Sequence, residues 1–400
     1  MNYQILTNYI TFVGQSDAKI NKFENQIPLD KGVSFNSYLI KDKKTLLLDT
    51  VDQIVMPAFL KSLKAALGER KLDYLVCLHV EPDHAYGISQ VLNLYPETTL
   101  IVNPLTKRIF NQFNESNFDD RMLVVKDLEI IDLGDNKIQF FTAPMVHWPE
   151  VMFAYLDKEK VLFTADAFGH FNALEDQLYS NLENYLEMKD SMRWYYANIV
   201  YKYGANVQAI LKKISNLEID QIMPLHGFMH KDQEIIKKIL ALYQTWSTYG
   251  FEEKGLVLNY FSMYGNTEKL ALKIANLLKD RNIKVLLYDL SKKDVTEALT
   301  DIAKYSHLLV MTPNYNASMS FPIRNLMEHL KLFGFQNRDV GLVINSSWGG
   351  LAEKELIEYL DNMPDMRLIA KPFNIKSSFK ESDFDKLVEF IDEIENSILK

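Results

Sequence analysis

Cysteine is almost absent from this sequence, since Cys77 is the only one among 400 residues. A single cysteine excludes an intrachain disulfide and a metal cluster held by several thiolates. Cys77 lies in the apolar run 74–78, which favours a small buried side chain. We therefore expect Cys77 to have a packing role.

Long apolar runs and an excess of basic residues are also lacking. No apolar run approaches the roughly 20 residues of a membrane span. The first residues have no basic start before an apolar block, so no signal peptide is predicted. Lys and Arg total 44 against 53 Asp and Glu, a net charge of −9 that argues against a nucleic-acid partner. We therefore expect a cytoplasmic protein that binds neither membranes nor nucleic acids.

The apolar pattern changes after the middle of the chain and predicts two domains. In the first part, short strand-like runs are separated by loops, and helical spacing appears at 55–67 and at roughly 182–214. A polar break bounded by glycines follows at 250–255. Beyond it, strands and helices alternate, as in a parallel sheet covered on both faces. We predict domains at 1–250 and 255–400.

Seven side chains of the first domain are candidate metal ligands. Four are crowded into one short run, and each of the other three follows a later strand-like run. Loops at strand ends can bring all of them to one rim of the fold. Together they supply four imidazoles and three carboxylates, enough for a two-metal centre: His79, Glu81, Asp83, His84, His147, Asp166 and His226.

The composition of this set favours iron. Glu81 places a carboxylate where an imidazole would suit zinc, and histidine with carboxylate ligands suits iron that binds small diatomic molecules. A carboxylate can also span two metals about 3.5–4 Å apart. Trp148 and Glu150 flank the third histidine as possible outer groups. We expect the remaining histidines to be ordinary packed or surface residues: His170, His230, His307 and His329.

The run 79–84, His-Val-Glu-Pro-Asp-His, resembles the HxHxDH signature of the metallo-β-lactamase superfamily, with Glu81 replacing the second histidine. With the later His147, Asp166 and His226, it is similar to the flavodiiron proteins (A-type flavoproteins), and the resemblance covers nearly the whole chain. It implies an α/β protein: an N-terminal metallo-β-lactamase-like αββα sandwich and a C-terminal flavodoxin-like doubly wound parallel sheet.

The resemblance also implies roles for the seven ligands. One iron would be held by His79, Glu81 and His147. Asp166 would bridge to the other iron, which would be held by Asp83, His84 and His226.

Three loops of the second domain are candidates for a flavin site. The first follows a strand and opens a helix, so its backbone N–H groups point at an anion, and it resembles the flavodoxin phosphate loop for FMN. The other two lie at carboxyl ends of parallel strands, where doubly wound sheets bind ligands. The candidates are Ser262, Met263, Tyr264, Gly265, Asn266 and Thr267; Pro313, Asn314, Tyr315, Asn316 and Ala317; and Ser346, Ser347, Trp348, Gly349 and Gly350. Relatives often carry glycine at the position of Ala317.

The resemblance implies an FMN- and di-iron-dependent reductase of dioxygen, nitric oxide or both. The 400 residues hold too few cysteines for a rubredoxin site, so we expect a separate electron donor, either rubredoxin or a reduced deazaflavin. A head-to-tail homodimer, or a dimer of such dimers, is also implied. Tyr195 and Tyr196 are candidate hydrogen-bond donors to the bound gas, with helix packing as the alternative.

Two other interpretations remain open on the sequence. A di-zinc hydrolase fused to a flavodoxin-like domain would share most ligands, but Glu81 and the flavin loops count against it. A flavodoxin-type electron carrier with a vestigial first domain is the other, and seven intact ligand positions argue against such decay.

Overall fold

The computed structural model describes residues 3–115 and 117–400. It divides into two compact units. The first extends to Tyr196 and resumes over Tyr203–Gln244, and the second comprises Ala197–Lys202 and Thr245–Lys400. The chain thus passes from the first unit into the second before the 250–255 break. The short segment Ala197–Lys202, which interrupts the first unit in sequence, also belongs to the second. None of the described helices is long and apolar enough to span a bilayer.

The first unit is built mainly on two sheets. Its strands are β1 (Gln4–Ile5), β2 (Ile10–Phe12), β3 (Gln15–Asp17), β4 (Lys22–Phe23), β5 (Ile27–Pro28), β6 (Val33–Phe35), β7 (Tyr38–Lys41), β8 (Thr45–Leu48), β9 (Tyr74–Val76), β10 (Thr99–Val102), β11 (Met122–Val124), β12 (Ile130–Asp132), β13 (Lys137–Thr142), β14 (Met152–Leu156), β15 (Val161–Phe163) and β16 (Gln221–Met223). One sheet has the order β1-β2-β7-β8-β9-β10-β11 and the other β12-β13-β14-β15-β16, with the pairs β3-β6 and β4-β5 beside them.

Burial along the central strands explains their composition. Every residue of β8 and β14 is buried, so both faces of these strands are covered and their sequences are continuously apolar. The helices of this unit are α1 (Met56–Leu67), α2 (Pro82–Ala85), α3 (Ile88–Leu94), α4 (Pro104–Phe113), α5 (Tyr185–Tyr195), α6 (Gly204–Ile214) and α7 (Gln233–Ser247), whose last turn enters the second unit.

The second unit is a doubly wound sheet in the order β18-β17-β19-β21-β22, as in flavodoxins. Its strands are β17 (Glu253–Tyr260), β18 (Val285–Asp289), β19 (Tyr305–Tyr315), β20 (Ser318–Met319), β21 (Arg338–Asn345), β22 (Met366–Leu368) and β23 (Phe373–Ile375). Its helices are α8 (Asn266–Asp280), α9 (Val295–Lys304), α10 (Phe321–Leu332), α11 (Ala352–Asp361) and α12 (Phe384–Leu399). One face of β17 packs its apolar residues against α8 and α12. The predicted α/β fold is confirmed.

The helical region predicted over 182–214 is interrupted. A π-helical segment, Tyr196–Val200, and a single 3₁₀ turn, Tyr201–Tyr203, separate α5 from α6. Contacts in the second unit account for the interruption: Asn198 donates to the carbonyl of Thr296 at 3.3 Å, and Tyr201 stacks on Phe335 with ring centroids 4.2 Å apart. Periodicity could not show this because the apolar spacing continues through the segment.

Arg338 is a fully buried cation in the second unit. Every hydrogen bond described for its guanidinium goes to a carbonyl or hydroxyl oxygen, including the carbonyls of Ile302, Ala303 and Tyr249 at 2.8, 2.7 and 2.9 Å. The first two belong to the last turn of α9, where the helix dipole is negative. Arg338 therefore ties the start of β21 to the end of α9 and to the chain after α7.

Replacing this arginine should destabilise the second unit. Arg338→Met leaves several buried carbonyl oxygens without their hydrogen-bond donor. We expect a loss of about 3 kcal/mol or more in unfolding free energy. Arg367→Met is the matched control, because that side chain is 52% exposed and pairs with Asp339 at 2.6 Å. The control should cost less than about 1 kcal/mol. Thermal and urea unfolding of both variants provides the measurement, and equal losses would contradict the assignment.

Candidate metal centre and flavin site

The seven predicted ligands converge at loops that follow strands of the first unit. His79 follows β9, the run 81–84 opens α2, and His147 lies between β13 and β14. Asp166 follows β15 and His226 follows β16. The side chains are buried or nearly so, which places the cluster beneath the surface.

Four donor atoms form a first group. Nε2 of His79 lies 3.1 Å from Oε2 of Glu81 and 3.3 Å from Nε2 of His147. Nε2 of His147 lies 3.1 Å from Oε2 of Glu81 and 3.1 Å from Oδ2 of Asp166. Atoms at these separations surround a point at bond lengths of about 2.0–2.2 Å, as metal ions require.

A second group lies on the other side of Asp166. Nε2 of His84 is 3.1 Å from Nε2 of His226, and both nitrogens are within 3.4 Å of Oδ2 of Asp83. Oδ1 of Asp166 is 3.1 Å from Nε2 of His84, whereas its Oδ2 faces the first group. We propose that the two groups bind two metal ions and that Asp166 bridges them.

The cluster fits a pair of cations. Both oxygens of Asp83 and Oδ1 of Asp166 are buried, and the imidazole nitrogens near them are not aligned as hydrogen-bond partners among the described residues. Buried carboxylates need donors or positive charge, and a metal ion supplies the charge. Histidine and carboxylate donors in this mixture suit iron.

Electrostatics in the cluster point the same way. Burial lowers the pKa of His79, but Asp166, Glu150 and Glu81 outweigh it and hold that pKa well above its ordinary value. Burial raises the pKa of Asp166, yet His79 and His84 hold it well below its usual range. The carboxylates and imidazoles thus favour each other's charged forms. Because an imidazole must be deprotonated to bind a metal, protons compete with metal ions at this site.

Groups behind the ligands fix two of the rings. Nδ1 of His79 is 2.8 Å from Oε1 of Glu150, which also accepts the backbone N–H of Val80 at 2.9 Å. Nδ1 of His226 donates to the carbonyl of Ser34 at 2.6 Å. Glu150 was predicted from the sequence as a possible outer group, because it lies close to His147 along the chain. Ser34 lies 192 residues before its partner, and no sequence signal could identify it.

Tyr195 reaches the cluster through Asp166. It is fully buried, and its hydroxyl donates to Oδ2 of that carboxylate at 2.8 Å. The ring of Tyr196 packs edge-on against Tyr243, with centroids 5.0 Å apart. Of the two tyrosines, the first is therefore placed to influence the metal centre.

The β4–β5 hairpin adds a residue that sequence reasoning missed. Glu24 lies at its tip with φ +49° and is exposed overall, and its carboxyl group lies near that of Glu81. Burial of this group and the nearby Glu81 raise the pKa of Glu24 to about 8. The neighbouring Phe23 packs edge-on against His226 with centroids 5.4 Å apart, so the hairpin covers part of the cluster.

The other histidines have ordinary structural roles, as predicted. Burial lowers the pKa of His170 to about 4 and that of His230 to about 3, which keeps both rings neutral. His170 accepts the backbone N–H of Phe228 at 2.8 Å. His307 is buried beside serine hydroxyls, and His329 is exposed and donates to a carbonyl of its own helix.

A cavity of about 260 Å³ lies at the carboxyl ends of the strands of the second unit. Ten predicted residues line it: Ser262, Met263, Tyr264, Asn266, Thr267, Pro313, Asn314, Ser347, Trp348 and Gly349. Asn345, which opens the third predicted loop, and Ser377, which was not predicted, also line it. Six predicted residues lie in the same loops outside the lining: Gly265, Tyr315, Asn316, Ala317, Ser346 and Gly350.

The first loop has the features of an anion site. Gly265 precedes α8 in the left-handed region at φ +82°, where glycine has no steric cost. The hydroxyl of Ser262 is buried without a partner among the described residues. Backbone N–H groups and the dipole at the start of α8 complete a cradle that suits the phosphate of FMN.

The other two loops are locked together. Gly350 leaves no room for a Cβ, which would meet Oδ1 of Asn314 at 2.0 Å. The same oxygen accepts the backbone N–H of Ala352 at 3.2 Å, and Leu351 donates to the carbonyl of Ala317 at 2.8 Å. Ala317 adopts φ +60°, so an alanine here occupies a conformation that favours glycine.

The fold and the cluster define a metallo-β-lactamase-like metal domain joined to a flavodoxin domain. The sequence model of the ODP family beta lactamase matches residues 33–227, and that of flavodoxin matches 258–355. The anaerobic nitric oxide reductase flavorubredoxin of Aliivibrio salmonicida is 30% identical over 354 residues, covering 86% of this chain and 69% of the relative.

Solved structures agree over the full length. Rubredoxin oxygen:oxidoreductase of Desulfovibrio gigas is 25% identical with a TM-score of 0.93, covering 99% of this chain and 98% of that one. The flavodiiron protein of Giardia intestinalis shares the fold at 20% identity and a TM-score of 0.92, covering 100% and 98%. The chain belongs to the flavodiiron protein family, and its cofactors are FMN and a di-iron centre.

Gly350→Ala should weaken FMN binding. The new methyl group must displace the side chain of Asn314 from the cavity wall, and we expect at least about a tenfold rise in Kd, or 1.4 kcal/mol. Gly68→Ala is the control, since Gly68 also has positive φ, at +61°, but has open space around its Cβ. Fluorescence quenching of FMN titrated with apoprotein gives both constants, and an unchanged Kd for Gly350→Ala would refute the locking role.

Proposed function

We propose that this protein reduces dioxygen to water, nitric oxide to nitrous oxide, or both, at the metal cluster, with electrons entering through FMN. The observation that carries the proposal is the occurrence, in one chain, of a donor cluster for two metal ions and a flavin cavity. The names of two relatives support it, because one is a nitric oxide reductase and the other an oxygen oxidoreductase.

The chain's own residues prepare the site for this chemistry. When bound, two irons and one flavin supply four electrons, the number that reduction of dioxygen to water requires. Glu150 and the carbonyl of Ser34 hold the rings of His79 and His226. Tyr195 fixes the orientation of Asp166 by its hydrogen bond, so the carboxylate keeps one oxygen toward each donor group.

The electron donor and the assembly are further parts of the proposal. We propose rubredoxin as a separate donor, with a reduced deazaflavin as the alternative. We also propose a head-to-tail homodimer, in which the flavin of one subunit serves the metal centre of the other. Two-fold pairing is the commonest closed assembly of proteins.

Turnover with each gas tests the proposed activity. Protein with quantified iron and FMN is reduced anaerobically by rubredoxin, and consumption of dioxygen and of nitric oxide is followed with electrodes. We expect consumption of at least one gas. If protein fully loaded with iron and FMN consumes neither gas, the proposed reductase activity is refuted. Tight zinc binding together with hydrolytic activity would favour the di-zinc hydrolase.

Tyr195→Phe should slow turnover by about tenfold with whichever gas is used. It removes a hydrogen bond to a buried carboxylate, an interaction of about 1.5–3 kcal/mol. Tyr196→Phe is the matched control at the next residue, whose ring packs on Tyr243. Steady-state rates per bound iron supply the comparison, and equal rates for the two variants would contradict the role of Tyr195.

A further inference from the structure

The two metal positions have matched donors. Each has two imidazoles and one carboxylate of its own, and each faces one oxygen of Asp166. The carboxylates that belong to a single position are also similarly accessible, since the side chain of Glu81 is 10% exposed and that of Asp83 is 12% exposed. A difference between the positions must therefore come from the groups behind the ligands.

The first position is braced at one of its two histidines, by a carboxylate. Nδ1 of His79 is 2.8 Å from a carboxylate oxygen of Glu150, and the N–H of Val80 holds that oxygen at 2.9 Å. A carboxylate behind a histidine fixes the ring and raises its basicity as a ligand. His79 is thus held in its binding orientation before a metal arrives.

The second position is also braced at one histidine, but by a backbone carbonyl in place of a carboxylate. His226 donates to the carbonyl of Ser34 at 2.6 Å. His84 is fully buried, but its Nδ1 has no hydrogen-bond partner among the described residues, and neither oxygen of Asp83 has one. A ring without a partner on Nδ1 lacks the outer hydrogen bond that orients a ligand, and it leaves a buried polar atom unsatisfied.

We propose that the two positions bind metal with affinities that differ at least tenfold. The position of His79, Glu81 and His147 fills first and empties last. The position of Asp83, His84 and His226 fills second, and chelation removes its ion first. The inference rests on the metal-dependent function proposed above, although not on which gas is reduced. It means that partly loaded protein carries a single ion at a defined position.

Cobalt(II) titration of the full chain tests the inference. Metal-free protein, prepared by dialysis against a chelator, is titrated anaerobically and followed by calorimetry and visible absorption. We expect two steps, the second at least tenfold weaker than the first. One step, or two of equal affinity, would overturn the inference for the unaltered protein without recourse to any variant.

Two variants assign the steps. His84→Asn should weaken the second step at least tenfold and leave the first within about threefold. Glu150→Gln should weaken the first step about 10- to 100-fold. Thermal unfolding confirms that both variants fold. Weakening of the first step alone by His84→Asn would overturn the assignment.

The titration separates this inference from the proposed function, because it needs neither gas nor electron donor. Unequal binding in a protein that reduces neither gas would refute the reductase alone. Equal binding in an active reductase would refute the inequality alone.

Discussion

The carboxylate of Asp166 is the constraint on which the rest of the metal domain depends. It is fully buried, and its two oxygens face different sets of donors. A buried carboxylate in this position is stable only when both sides supply positive charge or hydrogen bonds. The backbone around it is strained: Ala165 and Phe168 adopt φ +46° and +64°. This left-handed conformation costs about 1–2 kcal/mol for each residue.

Packing around this loop fixes its position. A Cβ on Gly169 would lie 2.9 Å from the carbonyl of Asp166 and 3.0 Å from that of His226, so the two ligand loops are in direct contact. The hydroxyl of Tyr243 accepts the N–H of Phe168 at 2.6 Å. These contacts offset the strain in the backbone. They also fix the distance between the loops that carry Asp166, after β15, and His226, after β16.

In the proposed function, the second unit supplies electrons to the metal centre through FMN. Its sheet sets three loops at the carboxyl ends of parallel strands, and the interlock of Asn314 with Gly350 holds two of them as one wall. Electron delivery and gas chemistry make different demands, since a flavin needs an open, partly apolar cavity and the metal cluster needs buried, convergent donors. Two separate cores satisfy both demands.

The sequence by itself determined the types of the candidate ligands, the alternation of strands and helices, and the loops that we propose for the flavin. These follow from local spacing, because a strand end and the polar residue after it are neighbours along the chain. Only the tertiary structure decided which oxygen of Asp166 faces which donors, and that Ser34 braces His226 from 192 residues away. It also decided the π-helical segment after Tyr195 and the places of Glu24 and Ser377. Such features depend on contacts between distant segments, and local spacing carries no record of them.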